Sequence, residues 1–260
     1  MENTALITGG SRGIGLELAK IFGANETNLL LVARSTDKLL QIKEDLAAEY
    51  EIRVKILPID LSVPESPNRI FEYTKSEDLE IEYLINNAGF GDFGYFADSN
   101  WNKVSSMINL NITSLTHLTK LYLPEMIERD SGKIMNVAST AAFQPGPLMA
   151  VYYASKAYVL HFSEAVNKEL ENTNVSLTAL CPGATETNFQ ERADMENSKF
   201  LDLVNLDTSR KVAKYGYQAM QKGKSVAIPG LLNKLGAFFT RLFPRNTVAK
   251  VVKEISEPKD

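Results

Sequence analysis

The stretch "TALITGGSRGIGLELAK" (residues 4–20) decides the fold, because it joins an apolar strand, a glycine-rich turn and a helix. Its spacing is Gly9-x-x-x-Gly13-x-Gly15, which differs from the commonest G-x-G-x-x-G fingerprint of dinucleotide sites. The physical demands are similar: a tight turn, a close approach of backbone to a pyrophosphate, and close packing of helix on strand. We therefore predict a dinucleotide site at this first turn, with an ordinary glycine turn as the alternative.

Short apolar runs alternate with longer amphipathic stretches along the rest of the chain. Strands are predicted at 4–8, 28–33, 54–59, 81–87, 132–139 and 175–182, and helices at 15–22, 37–50, 101–128 and 151–170. Most of the strand runs are apolar throughout, as in strands covered on both faces. This order predicts an α/β fold: a doubly wound, mainly parallel Rossmann-type sheet with helices on both faces, in three layers.

The composition is that of an ordinary globular chain of 260 residues, with a net charge of −4 that argues against nucleic acid as a partner. One cysteine, Cys181, excludes an intramolecular disulfide, and with only two histidines we expect no metal site. No linker or repeat divides the chain, so residues 1–260 are predicted to form one dinucleotide-binding domain that also contains the active site. Neither a signal peptide nor a membrane span is predicted, and the expected location is cytoplasmic.

Two arginines indicate which dinucleotide is bound. An acidic residue at the end of the second strand would select NAD, but here Ala33 and Arg34 stand at that place. Arg12 in the glycine loop is a second cation, and guanidinium groups suit a 2′-phosphate. We therefore predict NADP(H); the alternative is that Arg34 is a solvated surface residue. Asp60 is either an acceptor for the adenine amino group or a turn-forming aspartate.

Several further motifs follow in order: "NNAG" at 86–89, Asn111, Ser139, "YYASK" at 152–156 and "PG" at 182–183. Together with residues 8–15 they resemble the short-chain dehydrogenase/reductase family, over about residues 3–230. The resemblance implies four catalytic residues: Ser139, Tyr152, Lys156 and Asn111, the last holding a water that links the lysine to solvent. Together, the glycine loop, the two arginines, the strand ends and this resemblance predict the following cofactor-binding residues: Gly9, Ser11, Arg12, Gly13, Ile14, Gly15, Arg34, Asp60, Leu61, Asn87, Ala88, Gly89, Tyr152, Lys156, Pro182, Gly183, Thr185 and Thr187.

Chemistry favours Tyr152 over its neighbour Tyr153 as the proton donor. Residues four apart share one face of a helix, so Tyr152 and Lys156 can point into one cleft. A nearby ammonium stabilises a phenolate, and the lysine is therefore expected to lower the pKa of Tyr152. Carbonyl reduction by hydride transfer needs a proton donor at the developing alkoxide, and Ser139 would position the substrate oxygen. Tyr153 as the acid remains the alternative.

The substrate is predicted to be apolar or partly apolar, such as an acyl chain, a steroid-like ring or an aromatic ketone. Residues 188–205 are predicted to form a substrate lid, and the range Gln144–Leu148 another wall. Four aromatics are expected near the cleft, although they could instead only pack the lid: Phe90, Phe93, Tyr95 and Phe96.

Two segments predict contacts beyond the cleft. The helix at 151–170 is apolar on most of its circumference, so we expect a homodimer or homotetramer through it and the 101–128 helix. The C-terminal extension, 231–255, begins with an amphipathic helix that also carries basic residues. Packing over the cleft or a neighbouring subunit is favoured for it, and peripheral membrane contact through 231–245 is the less favoured alternative.

These features predict an NADPH-dependent oxidoreductase that interconverts a carbonyl and a secondary alcohol. An NAD-dependent alcohol dehydrogenase is the alternative within the same class. A non-catalytic dinucleotide-binding sensor is less favoured, because the chain keeps the serine, the tyrosine and the lysine. A sugar-nucleotide epimerase or dehydratase is also less favoured, because such enzymes resemble a longer form with a substrate domain and a different spacing of glycines.

Overall fold

The computed structural model describes residues 3–187, 189, 193, 195, 198–199 and 206–257. Seven strands in this part of the chain form one parallel sheet in the order β3-β2-β1-β4-β5-β6-β9. They are β1 (Thr4–Thr8), β2 (Asn28–Ala33), β3 (Val54–Pro58), β4 (Ile81–Asn86), β5 (Gly132–Val137), β6 (Val175–Leu180) and β9 (Val226–Ala227). A separate parallel pair is made by β7 (Thr185–Glu186) and β8 (Asp207–Thr208). The predicted doubly wound parallel sheet is confirmed.

Helices cover both faces of this sheet. They are α1 (Gly13–Gly23), α2 (Thr36–Tyr50), α3 (Ser66–Ser76), α4 (Trp101–Ile108), α5 (Leu115–Glu128), α6 (Ala150–Glu169), α7 (Ser209–Gln221), α8 (Leu231–Phe239) and α9 (Arg245–Ser256). One buried cluster joins the sheet to α1, α2 and α7, and two others join it to α3, α5 and α6. The three predicted layers are therefore present.

The first strand shows how an apolar run becomes a central strand. All five of its residues are buried. Ala5 and Ile7 belong to the cluster on one face and Leu6 to the cluster on the other, because successive side chains of a strand point to opposite faces. A strand with helices on both sides must be apolar on both sides, and the sequence "TALIT" meets that demand.

The region 101–128 is not the single helix that the sequence predicts. It consists of α4, a π-helical turn at Asn109–Ser114, and α5. A π-turn shifts the helical register by a residue and is common at functional sites. It places Asn111 within the turn, where the side chain is buried.

The C-terminal extension forms two helices, α8 and α9, joined by residues 240–244. The apolar face of α8 does not pack over the cleft, the first of the two packing modes predicted for it: this face is exposed, and the opposite face, with Ala237, is buried. The second mode, contact with a neighbouring subunit, stays a prediction. Most of the predicted lid, 188–205, lies outside the described residues. Of the helices that are described, none combines the length and apolarity that crossing a membrane requires.

Candidate active site

A cavity of about 780 Å³ opens at the carboxyl ends of the central strands. The order of strands reverses between β1 and β4, and open α/β sheets bind ligands at that point. Of the residues predicted from sequence to bind or react, all but Gly15 and Asn111 line this cavity.

The glycine loop approaches the cavity with its backbone. Gly9 and Gly13 have φ angles of +67° and +55°, in the left-handed region that residues with a Cβ atom rarely adopt. Gly15 lies beneath the loop, where a Cβ would come within 2.4 Å of the Gly9 carbonyl oxygen. The N-cap residue of α1, Arg12, makes no side-chain hydrogen bond to the first turn, so the amides of that turn face the cavity without a side-chain cap. The loop can therefore approach an anionic group closely.

The segment after β4 is held against this loop by Thr8. The hydroxyl of Thr8 accepts hydrogen bonds from the backbone amides of Asn87 (2.9 Å) and Ala88 (3.0 Å). The side-chain amide of Asn87 donates to the Thr8 carbonyl at 2.9 Å. Asn87 was predicted to bind the cofactor, and it lines the cavity. Its backbone and side-chain amides, however, hold the segment after β4 against the glycine loop. The sequence analysis missed the role of Thr8, although it lies in the motif "TGGSRGIG".

Three predicted catalytic side chains meet on one wall of the cavity. The hydroxyl of Ser139 lies beside that of Tyr152, near enough to favour the phenolate and so to lower the pKa of the phenol. The Ser139 hydroxyl oxygen accepts from the Ala141 amide at 3.1 Å. Lys156 donates from Nζ to the Val137 carbonyl at 2.7 Å, and the same nitrogen lies 5.8 Å from the centre of the Tyr152 ring. The end of β5 and the first turns of α6 thus bring the serine, the tyrosine and the lysine together.

The protonation of this trio differs from the sequence expectation. Burial raises the pKa of Tyr152 above its usual value, and the neighbouring Ser139 side chain opposes the rise only in part. Burial also lowers the pKa of the Lys156 ammonium to about 8. The sequence predicted that the pKa of Tyr152 is lowered by Lys156, but the net shift is a rise. The loss of water around the phenol outweighs the interactions that favour the phenolate. At neutral pH Tyr152 therefore carries its proton.

Asn111 does not line the cavity. Its amide nitrogen donates to the Phe90 carbonyl at 3.0 Å and to the Ser155 hydroxyl at 3.1 Å, and its oxygen accepts from the Phe90 amide at 3.2 Å. Ser155 in turn donates to the Tyr152 carbonyl at 2.7 Å. The side chain predicted to hold a water is thus engaged by protein groups and braces the start of α6. Ser155 was missed, although it stands within "YYASK".

At the other end of the cavity, Arg34 and Asp60 face each other. The Arg34 Nη1 and Asp60 Oδ2 atoms are 3.9 Å apart, and both side chains are exposed. The second oxygen of Asp60 accepts hydrogen bonds from the Ser62 amide (2.9 Å) and hydroxyl (2.8 Å). Of the two alternatives for Asp60, the turn-forming contact is observed. Arg12 lines the same cavity.

Apolar side chains surround the tyrosine on its remaining side. The Tyr152 ring centre lies 5.0 Å from that of Phe189 and 6.1 Å from that of Tyr153. Tyr153 lies flat against Gly146, where a Cβ would come within 2.2 Å of its ring. Two methionines that the sequence analysis missed complete this wall, Met149 and Met195. No sequence pattern marks them, because they stand in loops without periodicity.

The predicted aromatic wall is only partly present. Phe90 lines the cavity, and Phe93 packs in the small cluster beside it. Tyr95 and Phe96 are exposed and do not line it. Cys181 is buried, as predicted for a core residue, and burial raises its pKa to about 12.

Comparisons with known proteins agree with this geometry. A profile of the short chain dehydrogenase family matches residues 3–198. The chain is 30% identical over 182 residues to the very-long-chain 3-oxoacyl-CoA reductase of Rattus norvegicus, an alignment that covers 68% of this chain and 58% of that protein. It is 31% identical over 182 residues to the 7beta-hydroxysteroid dehydrogenase of Mediterraneibacter gnavus, covering 70% of this chain and 68% of that one.

A solved structure extends the match. A short-chain dehydrogenase from Sphingobium yanoikuyae in complex with NADPH superposes with a TM-score of 0.82 at 30% identity, covering 93% of this chain and 95% of that one. The chain therefore belongs to the short-chain dehydrogenase family, whose members are oxidoreductases that bind a nicotinamide dinucleotide, and it spans 58% of the length of the rat relative.

Proposed function

We propose that this short-chain dehydrogenase uses NADPH to interconvert a carbonyl and a secondary alcohol, with Tyr152 as the acid and base. The observation that carries the proposal is the meeting of Ser139, Tyr152 and Lys156 on one wall of the cavity, with the Lys156 ammonium 5.8 Å from the centre of the Tyr152 ring. A phenol that holds its proton at neutral pH suits the reductive direction, in which the acid must donate.

The residues around the cavity fit a nicotinamide dinucleotide. The loop at Gly9 and Gly13 leaves room for a pyrophosphate beside the first turn of α1. Gly183, Thr185 and Thr187 also line the cavity, Thr187 against Gly13 of the glycine loop, and they are proposed to meet the nicotinamide and the pyrophosphate. When bound, the dinucleotide supplies or accepts the hydride.

The protein groups then handle the proton. Ser139 and Tyr152 lie side by side on the cavity wall, so both hydroxyls are proposed to reach one substrate oxygen and hold it in place. Tyr152 donates its proton to that oxygen as the alcohol forms. Lys156, with a pKa of about 8, is mostly charged at neutral pH, and its ammonium can stabilise the phenolate that remains. Asn111, through Ser155, is proposed to position this turn of α6 rather than to touch the substrate.

NADPH is proposed over NADH because Arg12 and Arg34 line the cavity and no carboxylate ends β2. Arg34 lies 3.9 Å from Asp60 and is exposed, so its guanidinium can turn to a 2′-phosphate without leaving a buried charge unpaired. The NADPH complex of the Sphingobium yanoikuyae protein supports this choice. An NAD-dependent alcohol dehydrogenase is the second candidate, supported by the carboxylate of Asp60 close to the same place.

The substrate is proposed to be an apolar or partly apolar ketone. The wall next to Tyr152 consists of Tyr153, Met149, Phe189 and Met195, and it offers few groups that bind a polar substrate. The names of two relatives point to the same chemistry, since one reduces a very-long-chain 3-oxoacyl-CoA and the other acts on a hydroxysteroid. The chain aligns with only 58% of the length of the first, so its own substrate stays a proposal.

The remaining expectations are proposals as well. One domain is proposed to hold both the cofactor and the substrate, with 188–205 as its lid and 231–255 as an extension. Assembly as a homodimer or homotetramer through α6 and α5 is supported by the exposed Tyr158, whose ring stacks on Phe162. A cytoplasmic location is proposed on the sequence alone.

The decisive experiment is a pair of calorimetric titrations with NADPH and NADH, followed by turnover assays. We expect tighter binding of NADPH, and its oxidation in the presence of 3-oxoacyl thioesters or steroid ketones. Tighter binding of NADH, with activity only towards alcohols, would favour the second candidate. Binding of neither dinucleotide would contradict the proposal.

A further inference from the structure

The segment 231–243, called here the apolar tail patch, leaves large apolar side chains in contact with solvent. Seven of them are between 43% and 82% exposed: Leu231, Leu232, Leu235, Phe238, Phe239, Leu242 and Phe243. A Cβ added at Gly236 would meet nothing within 4 Å. Monomeric proteins rarely expose a contiguous apolar patch of more than a few hundred Å², and such patches mark contact surfaces.

The patch forms one face of α8. With 3.6 residues per turn, its five exposed apolar residues in α8 fall within about a third of the circumference. Asn233 and Ala237 lie on the opposite side and attach the helix to the protein. Asn233 sits within 2.6 Å of where a Gly183 Cβ would be, and its amide donates to the Pro229 carbonyl. The exposed face therefore points away from the part of the chain that the structure describes.

Cations accompany this face, and no acid does. Residues 231–245 contain Lys234, Arg241 and Arg245 but neither aspartate nor glutamate. On the helix, Lys234 lies between the apolar arc and the buried side, with its ammonium 5.6 Å from the centre of the Tyr215 ring, so Arg241 and Arg245 are the cations that extend beyond the helix. The whole C-terminal part, 231–260, carries six Lys or Arg against three Asp or Glu, a net charge of +3, whereas the first 230 residues carry 22 against 29, a net charge of −7. The positive charge of an acidic protein is thus concentrated where its apolar residues are exposed.

We propose that the apolar tail patch docks on the surface of a lipid bilayer that contains anionic headgroups. An amphipathic helix with Phe and Leu on one face and cations at its edge lies in the membrane interface, with the apolar face in the acyl boundary. The cations meet the anionic headgroups, and each contributes to binding near the surface. The proposal is independent of which reaction the cavity performs.

A second copy of the chain fits this face less well. In a two-fold dimer the same patch lies on both partners, so the cations of one tail would meet the cations of the other. Repulsion between like charges would then oppose the burial of the apolar side chains. A bilayer with negative headgroups removes that conflict.

The test is flotation of the full chain with vesicles of phosphatidylcholine alone and of an equimolar mixture with phosphatidylserine. We expect binding to the mixed vesicles that weakens as salt is raised, and little binding to phosphatidylcholine. Phe238→Ser should lower the partition coefficient about tenfold, because one buried aromatic side chain is lost. The matched control is Leu40→Ser, which removes an exposed apolar side chain from α2 and should change nothing.

A second pair of variants tests the charges. Arg241→Gln should weaken binding to the mixed vesicles roughly fivefold, while Arg69→Gln, at an exposed arginine of α3, should leave it unchanged. Phe238 is exposed, so its variant should fold, which circular dichroism can verify. Absence of vesicle binding, or equal binding of Phe238→Ser and the wild type, overturns the proposal. The proposal is also overturned if the wild type is an oligomer that Phe238→Ser dissociates, and if neither protein binds vesicles. The apolar face of α8 would then be a subunit interface.

Discussion

The two walls of the cavity are built in different ways. The wall at the glycine loop consists of backbone, held by Thr8 and Asn87 and by glycines that leave no room for a side chain. The wall beside Tyr152 consists of side chains, among them Tyr153 and Phe189, which come from separate loops and helices. The first wall is a property of the fold, whereas the second can change residue by residue while the sheet stays the same. Four predictions test this contrast.

The largest effect is expected for Tyr152→Phe. Loss of the hydroxyl removes the proposed acid, so kcat should fall by about 10²- to 10⁴-fold while the dissociation constant of NADPH stays the same. Steady-state kinetics and calorimetry measure the two quantities. Tyr153→Phe is the control and should keep most of the activity, because the ring that packs on Gly146 remains. A larger loss for Tyr153→Phe than for Tyr152→Phe would reverse the assignment.

Gly15→Ala should damage the backbone wall. The added Cβ would lie 2.4 Å from the Gly9 carbonyl oxygen and 2.5 Å from the side-chain amide nitrogen of Asn87. Carbon and oxygen atoms in contact are normally roughly 3.3 Å apart. We expect a loss of up to about 3 kcal/mol in the free energy of unfolding, together with weaker NADPH binding. Chemical denaturation measures the first. Gly236→Ala is the control: it adds a methyl group in open space on a helix and should stabilise by at most about 1 kcal/mol.

Arg34→Asp should separate the two dinucleotides. The variant replaces the proposed partner of the 2′-phosphate with a like charge, so NADPH should bind at least about tenfold more weakly. The affinity for NADH, which lacks that phosphate, should fall much less. Parallel calorimetric titrations give both values. Equal losses would show that Arg34 does not contact the 2′-phosphate.

The smallest effect concerns Lys156 and pH. Folding lowers the pKa of this lysine from 10.5 to about 8, so between these values the unfolded chain holds a proton that the folded chain has released. Raising the pH through this window therefore stabilises the folded wild type, by at most about 1.4 kcal/mol per pH unit, and the gain is absent below about pH 8. Lys156→Met lacks the titrating group and should show no such contribution. If the difference in unfolding free energy between the two proteins is flat from pH 8 to 10.5, Lys156 keeps its proton on folding.

The backbone wall was also the part that the sequence predicted best. The bounds of β1 and β2 match the apolar runs to the residue, because a strand covered on both faces must be apolar throughout. The helix α3 was missed, since "SPNRIFEYTKS" is mostly polar and buries little beyond Pro67 and Ile70. The π-turn at Asn109–Ser114 was also missed, because its sequence "NLNITS" has only two apolar residues, too few to show a shift of one residue in the helical register.

The side-chain wall could be predicted only in part. The spacing of Tyr152 and Lys156 along a helix gave their common face, and Ser139 followed from the family resemblance. The pKa of Tyr152 could not be predicted, because it depends on the removal of water by residues far away in sequence, such as Phe189. Met149 and Met195 could not be predicted either, since only the folded chain brings their loops together.

The contact between Gly146 and Tyr153 has a consequence for how this protein changes over evolutionary time. A side chain at 146 would occupy the space of the aromatic ring, since its Cβ would lie 2.2 Å from Cγ of Tyr153. We therefore expect these two positions to change together, unlike the rest of the side-chain wall, because a larger residue at 146 fits only where the side chain at 153 is small. Because Tyr153 also lines the cavity, each such exchange reshapes the substrate wall. Covariation of these two positions among relatives would then trace the points at which substrate preference diverged.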